Sequence, residues 1–342
     1  MPDIQKENMW LIEGSLAVVA VVAAAVVLRY TRVVMIPFVL AIFIFLLVSP
    51  ILDFQVIRLK IPRALAVALS LLVVLFIIVV LCVLIVLAVQ TIVATIGRYS
   101  DSFANLAEKI FGKMDSWGID LNQDKIVQDL RDNIPKFVTD ALSRVFGLVS
   151  SLFFVLIFVA FLLAGRNPHA IRSGVYADID QKVRRYIGTK IAISAVTGLV
   201  VWWFLAMVGL QLAGVFGMLA FLLNFIPSIG SIISTLLPIP VAVAQFQNVW
   251  FVVLVVSVPG LVQTIIGNVI EPKVMGKGLN LHPVIVLLAL SFWGLLWGVA
   301  GMFLATPMTA TIRIVLMQFD TLKPIGNLLA GHLPGSIDSH AV

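Results

Sequence analysis

Long apolar runs, broken by short polar turns, fill most of the chain. They predict membrane-spanning helices at 10–28, 33–52, 64–96, 146–165 and 191–210. Each approaches or exceeds the roughly 20 apolar residues that cross a bilayer core of about 30 Å. The third run covers 33 residues, or roughly 50 Å of helix, so it must tilt or project beyond the membrane. Beyond Leu210 the pattern changes. One ordinary span, 249–270, is flanked by two long interrupted stretches. The first, 212–245, is broken at the sequence NFIPSIG and again at Pro238 and Pro240. The second, 282–317, is broken at Gly298, Gly301 and Pro307.

Between the third and fourth runs lies the one sizeable polar region, 97–145. Phe103, Leu106, Ile110 and Met114 recur at helical spacing, as do Val127, Leu130, Ile134, Phe137 and Ala141. This reads as two amphipathic helices joined at Gly118–Asp124, packing on each other or on the bilayer surface. The expected fold class is therefore all-α: a polytopic transmembrane helical protein of about seven or eight hydrophobic segments. Some of these are interrupted or re-entrant, and a small helical insert lies outside the membrane. The organisation runs from N-terminal spans (1–96) to the insert (97–145), then spans with a basic connection (146–210). A core with two interrupted hairpins (211–317) and a tail (318–342) complete it.

Composition agrees. Of 342 residues, 61% are hydrophobic and 12% charged, against about 25% charged in soluble domains. The apolar part of the first run is too long, and its leader too little basic, for a cleaved signal, so it reads as a retained span. Net charge of +6 does not point to nucleic acid, because basic residues in a membrane protein mark cytoplasmic loops. Arg58, Lys60 and Arg63 oppose only Asp53, and 166–190 carries six Lys/Arg against two Asp. Both segments are expected in the cytoplasm, and the insert, with seven Lys/Arg and eight Asp/Glu, outside. Arg29 and Arg32 run against that orientation but are outweighed. The chain's single cysteine, Cys82, lies in an apolar run, so no intrachain disulfide and no cysteine metal cluster are expected.

Enzyme chemistry fails on inventory. There is no GxSxG, HExxH, P-loop or GxGxxG pattern, the four histidines are scattered, and no pair of aspartates lies within spans. Neither a cofactor nor a metal is expected. What remains is the broken helices. Unsatisfied backbone costs several kcal/mol in hydrocarbon, so non-helical chain at that depth lines a cavity or is buried in protein. Pro227 removes a donor and Gly230 permits a tight turn, while Asn224, Ser228 and Ser231 can bond freed backbone or a ligand. Paired interruptions flanking one span point to a transporter's binding site. A structural reading stands beside it: Pro and Gly often only kink such helices, and Gly294 with Gly298 form a GxxxG that lets helices approach. Between the breaks, Glu271, Lys273 and Lys277 are the charges separating Lys190 from Arg313. Glu271 precedes Pro272, so a span is expected to end there. These charges read as an interfacial anchor, or as a gate in which Glu271 pairs with Lys273, Lys277 or Arg313. The candidate site thus comprises Asn224, Pro227, Ser228, Gly230, Ser231, Asn268, Glu271, Pro272, Lys273, Gly276, Pro307 and Arg313.

The stretch NFIPSIGS, the segment from Asn268 through IEPKVMGKGLNLHP, and SFWGLLWGVAGMFLATP together resemble the AI-2E family of bacterial transporters. The likeness is specific in the last third and architectural before it. It implies a multi-pass protein of the bacterial inner membrane, homo-oligomeric (a pentamer among the assemblies it suggests), that exports the quorum-sensing signal autoinducer-2 or a similar solute. Substrates differ across the family, and some members look like sodium/proton antiporters. An antiporter needs an ionisable group within the membrane, and none lies between Lys190 and Glu271. That favours a small, polar, largely uncharged substrate moved across the lipid bilayer. A membrane scaffold using the insert to bind a partner is the third reading. Whether 212–245 and 282–317 are hairpins or ordinary spans stays open at this level.

Overall fold

The computed structural model describes residues 2–87, 90, 152–167, 174–246, 248–275 and 281–331, with the side chains of 2–13, 17 and 275 outside that description. The insert 97–145, Gly276, Lys277 and the tail beyond 331 therefore lie outside the described residues. Those described form a helical, polytopic membrane protein. The helices are α1 (Pro2–Tyr30), α2 (Arg32–Ile57), α3 (Arg63–Leu87), α4 (Leu152–Gly165) and α5 (Val175–Met207). Then follow α6 (Ala213–Leu223), α7 (Ile229–Leu236), α8 (Ile239–Gln245), α9 (Val249–Ile265), a π-helical turn (Ile266–Ile270), α10 (Glu271–Met275), α11 (Pro283–Leu316) and α12 (Lys323–Leu329).

Helix α2 is the shared wall. Ala41, Val48 and Leu52 pack against Ala66 and Val74 of α3 and Val155, Val159 and Leu163 of α4. Its other side, through Phe43 and Leu46, meets α5 and α11. A polar staple closes the basic end. Arg166 clasps Asp53 with both arms of its guanidinium, Nε to Oδ1 at 2.8 Å and Nη2 to Oδ2, and stacks over Phe45. Arg63 donates to the Ala164 carbonyl. The segments expected on one side of the membrane thus meet at one end of the bundle.

Two expectations about span boundaries are corrected. Helix α5 begins at Val175 rather than near Ile191, so much of the expected basic loop is helical. Its charges pair along the helix: Lys182 with Asp178 at 2.9 Å and Arg184 with Asp180 at 2.6 Å, each four residues apart. Nor does the helix end at Glu271. Pro272 sits at the first turn of α10, where its missing N–H leaves no gap, and only a π-turn marks the junction, with the Glu271 N–H on the Ile266 carbonyl.

Both interrupted stretches are helical hairpins. In the first, α6 runs inward, the chain turns at 224–228, and α7–α8 return. The Gln245 side chain pins the base, donating from Nε2 to the Gly209 carbonyl at 2.7 Å and accepting at Oε1 from the Gln211 N–H at 2.8 Å. In the second, α11 reads as one 34-residue helix, yet Gly298 at its middle has φ 63° and ψ −141°. A Cβ on Gly301 would overlap the Trp293 carbonyl, and Trp293 Nε1 donates to Thr309 Oγ1 at 3.2 Å. A straight helix would hold residues 293 and 309 roughly 24 Å apart. The legs 283–297 and 299–316 therefore lie side by side. The suspected GxxxG turns out to be the hairpin's own interior: Gly294 packs on Met302 and Gly298 makes the turn.

The hairpins enter from opposite ends. The base of the first joins the Met207 end of α5. The tip of the second reaches the α1–α2 turn, where Trp297 Nε1 donates to the Leu28 carbonyl at 3.0 Å, and its base is tied to α12 by the His282 N–H on the Leu329 carbonyl. They touch where Phe225, at the first tip, stacks on Phe303 of the second, with centroids 4.6 Å apart.

Candidate functional site

The first tip is built from conformations that helix-forming residues avoid. Asn224 ends α6 and Pro227 cannot donate. Ser228 then takes φ 60° and ψ −54°, closing a γ-turn in which the Ile229 N–H bonds the Pro227 carbonyl at 2.6 Å. A non-glycine residue in that region is strained. Gly230 follows because a Cβ there would overlap the Leu223 carbonyl across the turn. The tip is held by Asn224, which donates from Nδ2 to Ser194 Oγ on α5 at 3.0 Å, with both residues buried. Ser194 lies roughly 20 Å along α5 from the pinned base, so the break sits deep in the helical bundle.

A cavity of about 470 Å³ opens beside this tip. Asn224, Pro227, Ser228 and Ser231 form its hairpin wall, continued along α7 by Thr235. The facing wall is α9 and the π-turn, which present Gln263, Thr264, Gly267 and Asn268. Lys190 and Glu271 close the end, with Lys190 Nζ donating to Glu271 Oε1 at 2.5 Å. The lysine side chain is 3% exposed and the glutamate 20%. A lysine so buried without a counter-charge would be strongly destabilising. The pair cancels, and the chamber presents hydroxyls, amides and backbone with no net charge.

Six of the residues singled out from the sequence therefore line one chamber: Asn224, Pro227, Ser228, Ser231, Asn268 and Glu271. Gly230 shapes the turn behind it. Pro272 and Lys273 lie exposed on α10. Pro307 is buried in the second hairpin, where its carbonyl accepts from Thr311 Oγ1 at 2.8 Å. Arg313 donates from Nε to the Gly326 carbonyl at 3.0 Å, clamping α12 against α11. The expected partners of Glu271 are corrected for two of the three: its counter-charge among the described residues is Lys190 of α5, Arg313 is engaged elsewhere and Lys273 faces outward, while Lys277 lies outside the described residues. The expected end of the basic connection at Lys190 is corrected with it, since that residue is buried within α5.

Sequence reading also passed over Gln263 and Thr235. A signal was present for Gln263: it is the only amide in the run from Val249 to Ile266, whose other polar residues are Ser257 and Thr264, and it lies four and eight residues before Gly267 and Glu271.

Comparison with known proteins places these features. The model of the AI-2E family transporter matches residues 16–320. Over 316 residues the chain is 31% identical to the AI-2 transport protein TqsA of Escherichia coli (strain K12), covering 89% of this chain and 91% of that protein. It is 32% identical over 313 residues to a "Putative transport protein" of Borreliella burgdorferi, covering 86% and 84% respectively. A protein of Haemophilus influenzae with the same description is 29% identical over 331 residues, covering 91% and 94%. The match runs through both hairpins and the span between them, and this chain belongs to the AI-2E family of transporters.

Proposed function

We propose that this protein exports a small, polar, largely uncharged metabolite, autoinducer-2 or a compound like it, across the bacterial inner membrane. The observation that carries the reading is the chamber at the first hairpin tip: among the described residues its charged groups are Lys190 and Glu271, which neutralise each other. A neutral cargo meets hydroxyls and amides there without leaving a charge unpaired. The likeness to TqsA, named an AI-2 transport protein, supports the choice of cargo. Two hairpins entering from opposite ends suit a site reached alternately from either side. With the basic ends of α2 to α5 in the cytoplasm, the first hairpin enters from outside and the second from inside. The working form is a homo-oligomer in this reading. Counterflow in proteoliposomes tests it: labelled autoinducer-2 is expected to exchange against unlabelled autoinducer-2 and not against sodium.

A second reading, sodium/proton antiport, draws on the same pair, because Glu271 is a titratable carboxylate on the chamber wall. We take the pair as a gate. Glu271→Gln keeps shape and a hydrogen-bond acceptor but cannot titrate; it leaves Lys190 without its counter-charge, so lower stability and partial transport by the folded protein are expected with or without an imposed pH gradient. Complete loss of a pH-driven flux shown by the unmutated protein, with folding intact, would favour the antiporter.

A further inference from the structure

Gln263 is 4% exposed, on the α9 wall of the chamber. Its Nε2 donates to Ser234 Oγ at 2.5 Å and to Thr235 Oγ1 at 3.3 Å. Those two hydroxyls are themselves committed. Both donate to the Ser231 carbonyl, at 3.1 Å from Ser234 and 2.9 Å from Thr235. A hydroxyl has one proton, so each can only accept from Gln263. In this arrangement the amide turns its NH₂ toward α7. Its oxygen is left over: Oε1 is buried and has no hydrogen-bond partner among the described residues. A buried acceptor left unmatched is costly, and native proteins tolerate such atoms where something else supplies the donor.

Resting on the neutral-cargo reading above, we propose that Gln263 is a specificity-determining residue whose Oε1 accepts a hydrogen bond from a hydroxyl of a neutral, polyhydroxylated substrate. The rest of the chamber fits that class. The Thr264 hydroxyl is spent on the Gly260 carbonyl at 2.8 Å, which leaves its lone pairs as a second acceptor. Asn224 and Asn268 offer amides on either side, and the Lys190–Glu271 pair adds no net charge. A substrate carrying several hydroxyls satisfies acceptors on both walls at once. A monovalent cation at Oε1 is the rival, and the test includes it.

Binding to purified full-length protein is measured calorimetrically with autoinducer-2, erythritol, 1,4-butanediol (erythritol without its inner hydroxyls) and sodium chloride. The unmutated protein is expected to favour erythritol over the butanediol by at least about tenfold, since sites built to bond a hydroxyl reject analogues lacking it. Gln263→Met keeps the length and removes the acceptor, and is expected to abolish that preference. Should Gln263→Met not fold, Ser234→Ala frees the amide to rotate and is expected to weaken the preference several-fold. Preference retained in the folded Met variant, or in Ser234→Ala where that variant stands in, overturns the role of Gln263 while leaving the neutral-cargo reading intact. Binding of none of the hydroxylated probes by unmutated protein overturns both readings, and sodium binding that depends on Gln263 overturns this one in favour of a cation site.

Discussion

Lys190 and Glu271 meet across 2.5 Å although 81 positions separate them in the chain. The contact ties the middle of α5 to the junction of the π-turn and α10 and forms the floor of the chamber. Removing one partner leaves the other charge buried without compensation, which costs about 3–5 kcal/mol in well-buried pairs. Glu271→Leu is expected to approach that loss, because Lys190 is the more deeply buried member. Lys190→Met should cost less, since Glu271 still reaches the chamber. The double variant should recover most of the stability. Denaturation of detergent-purified protein in a double-mutant cycle reads all three, and additive losses would deny the coupling.

Asn224→Ala removes the donor that Ser194 accepts and is expected to cost about 1–3 kcal/mol and to reduce transport strongly. Ser194→Ala should destabilise by a similar amount, and the two together should be less than additive. Normal transport by a well-expressed Asn224→Ala protein would remove Asn224 from the site.

Ser228 holds φ 60°, a region that favours glycine. Ser228→Gly is expected to raise stability by about 1 kcal/mol, whereas Ser228→Val, branched at Cβ, should lower it by more. Shifts in apparent melting temperature decide between these outcomes. A less stable glycine variant would mean that the serine side chain, and not the backbone, sets the turn.

Gly230 and Gly301 each lie against a carbonyl of the opposite hairpin leg, and Gly188 of α5 faces open space. Alanine at 230 or 301 must push the legs apart, so folded yield is expected to fall by at least severalfold, matching losses of about 2 kcal/mol or more. Gly188→Ala should be neutral or stabilising by up to about 1 kcal/mol. Equal behaviour of all three would contradict the hairpins.

In a Cys82→Ser background, cysteine placed at Tyr30 is expected to react with an impermeant thiol reagent on intact cells, and cysteine placed at Leu59 only after lysis. Reversed labelling would invert the orientation and, with it, the sides from which the hairpins enter.

Helix content was legible because hydropathy is a local property: a run such as Arg32–Ile57 has no other stable form in lipid than a helix. The hairpin tips were legible for a related reason. Asn224, Pro227 and Gly230 within an apolar stretch cannot be explained by burial of side chains, so they announce broken backbone wherever the stretch packs. Boundaries were less so. The helical pairing of Lys182 and Arg184 with aspartates one turn away disguised the start of α5 as a loop, and Pro272 looked like a terminus because a π-turn and a proline-compatible first turn are not distinguished by composition.

The chain alone determined that two polar breaks interrupt the apolar helices around 224–230 and 298–301, since covalent backbone preferences act over a few residues. Only the tertiary structure decided that Glu271 answers Lys190 and not its near neighbours, that Arg313 and Pro307 serve the second hairpin, and that Gln263 faces Ser234 and Thr235. Those choices depend on which helix faces meet, and a buried charge or amide takes its partner from whatever face is packed against it, however distant in the sequence.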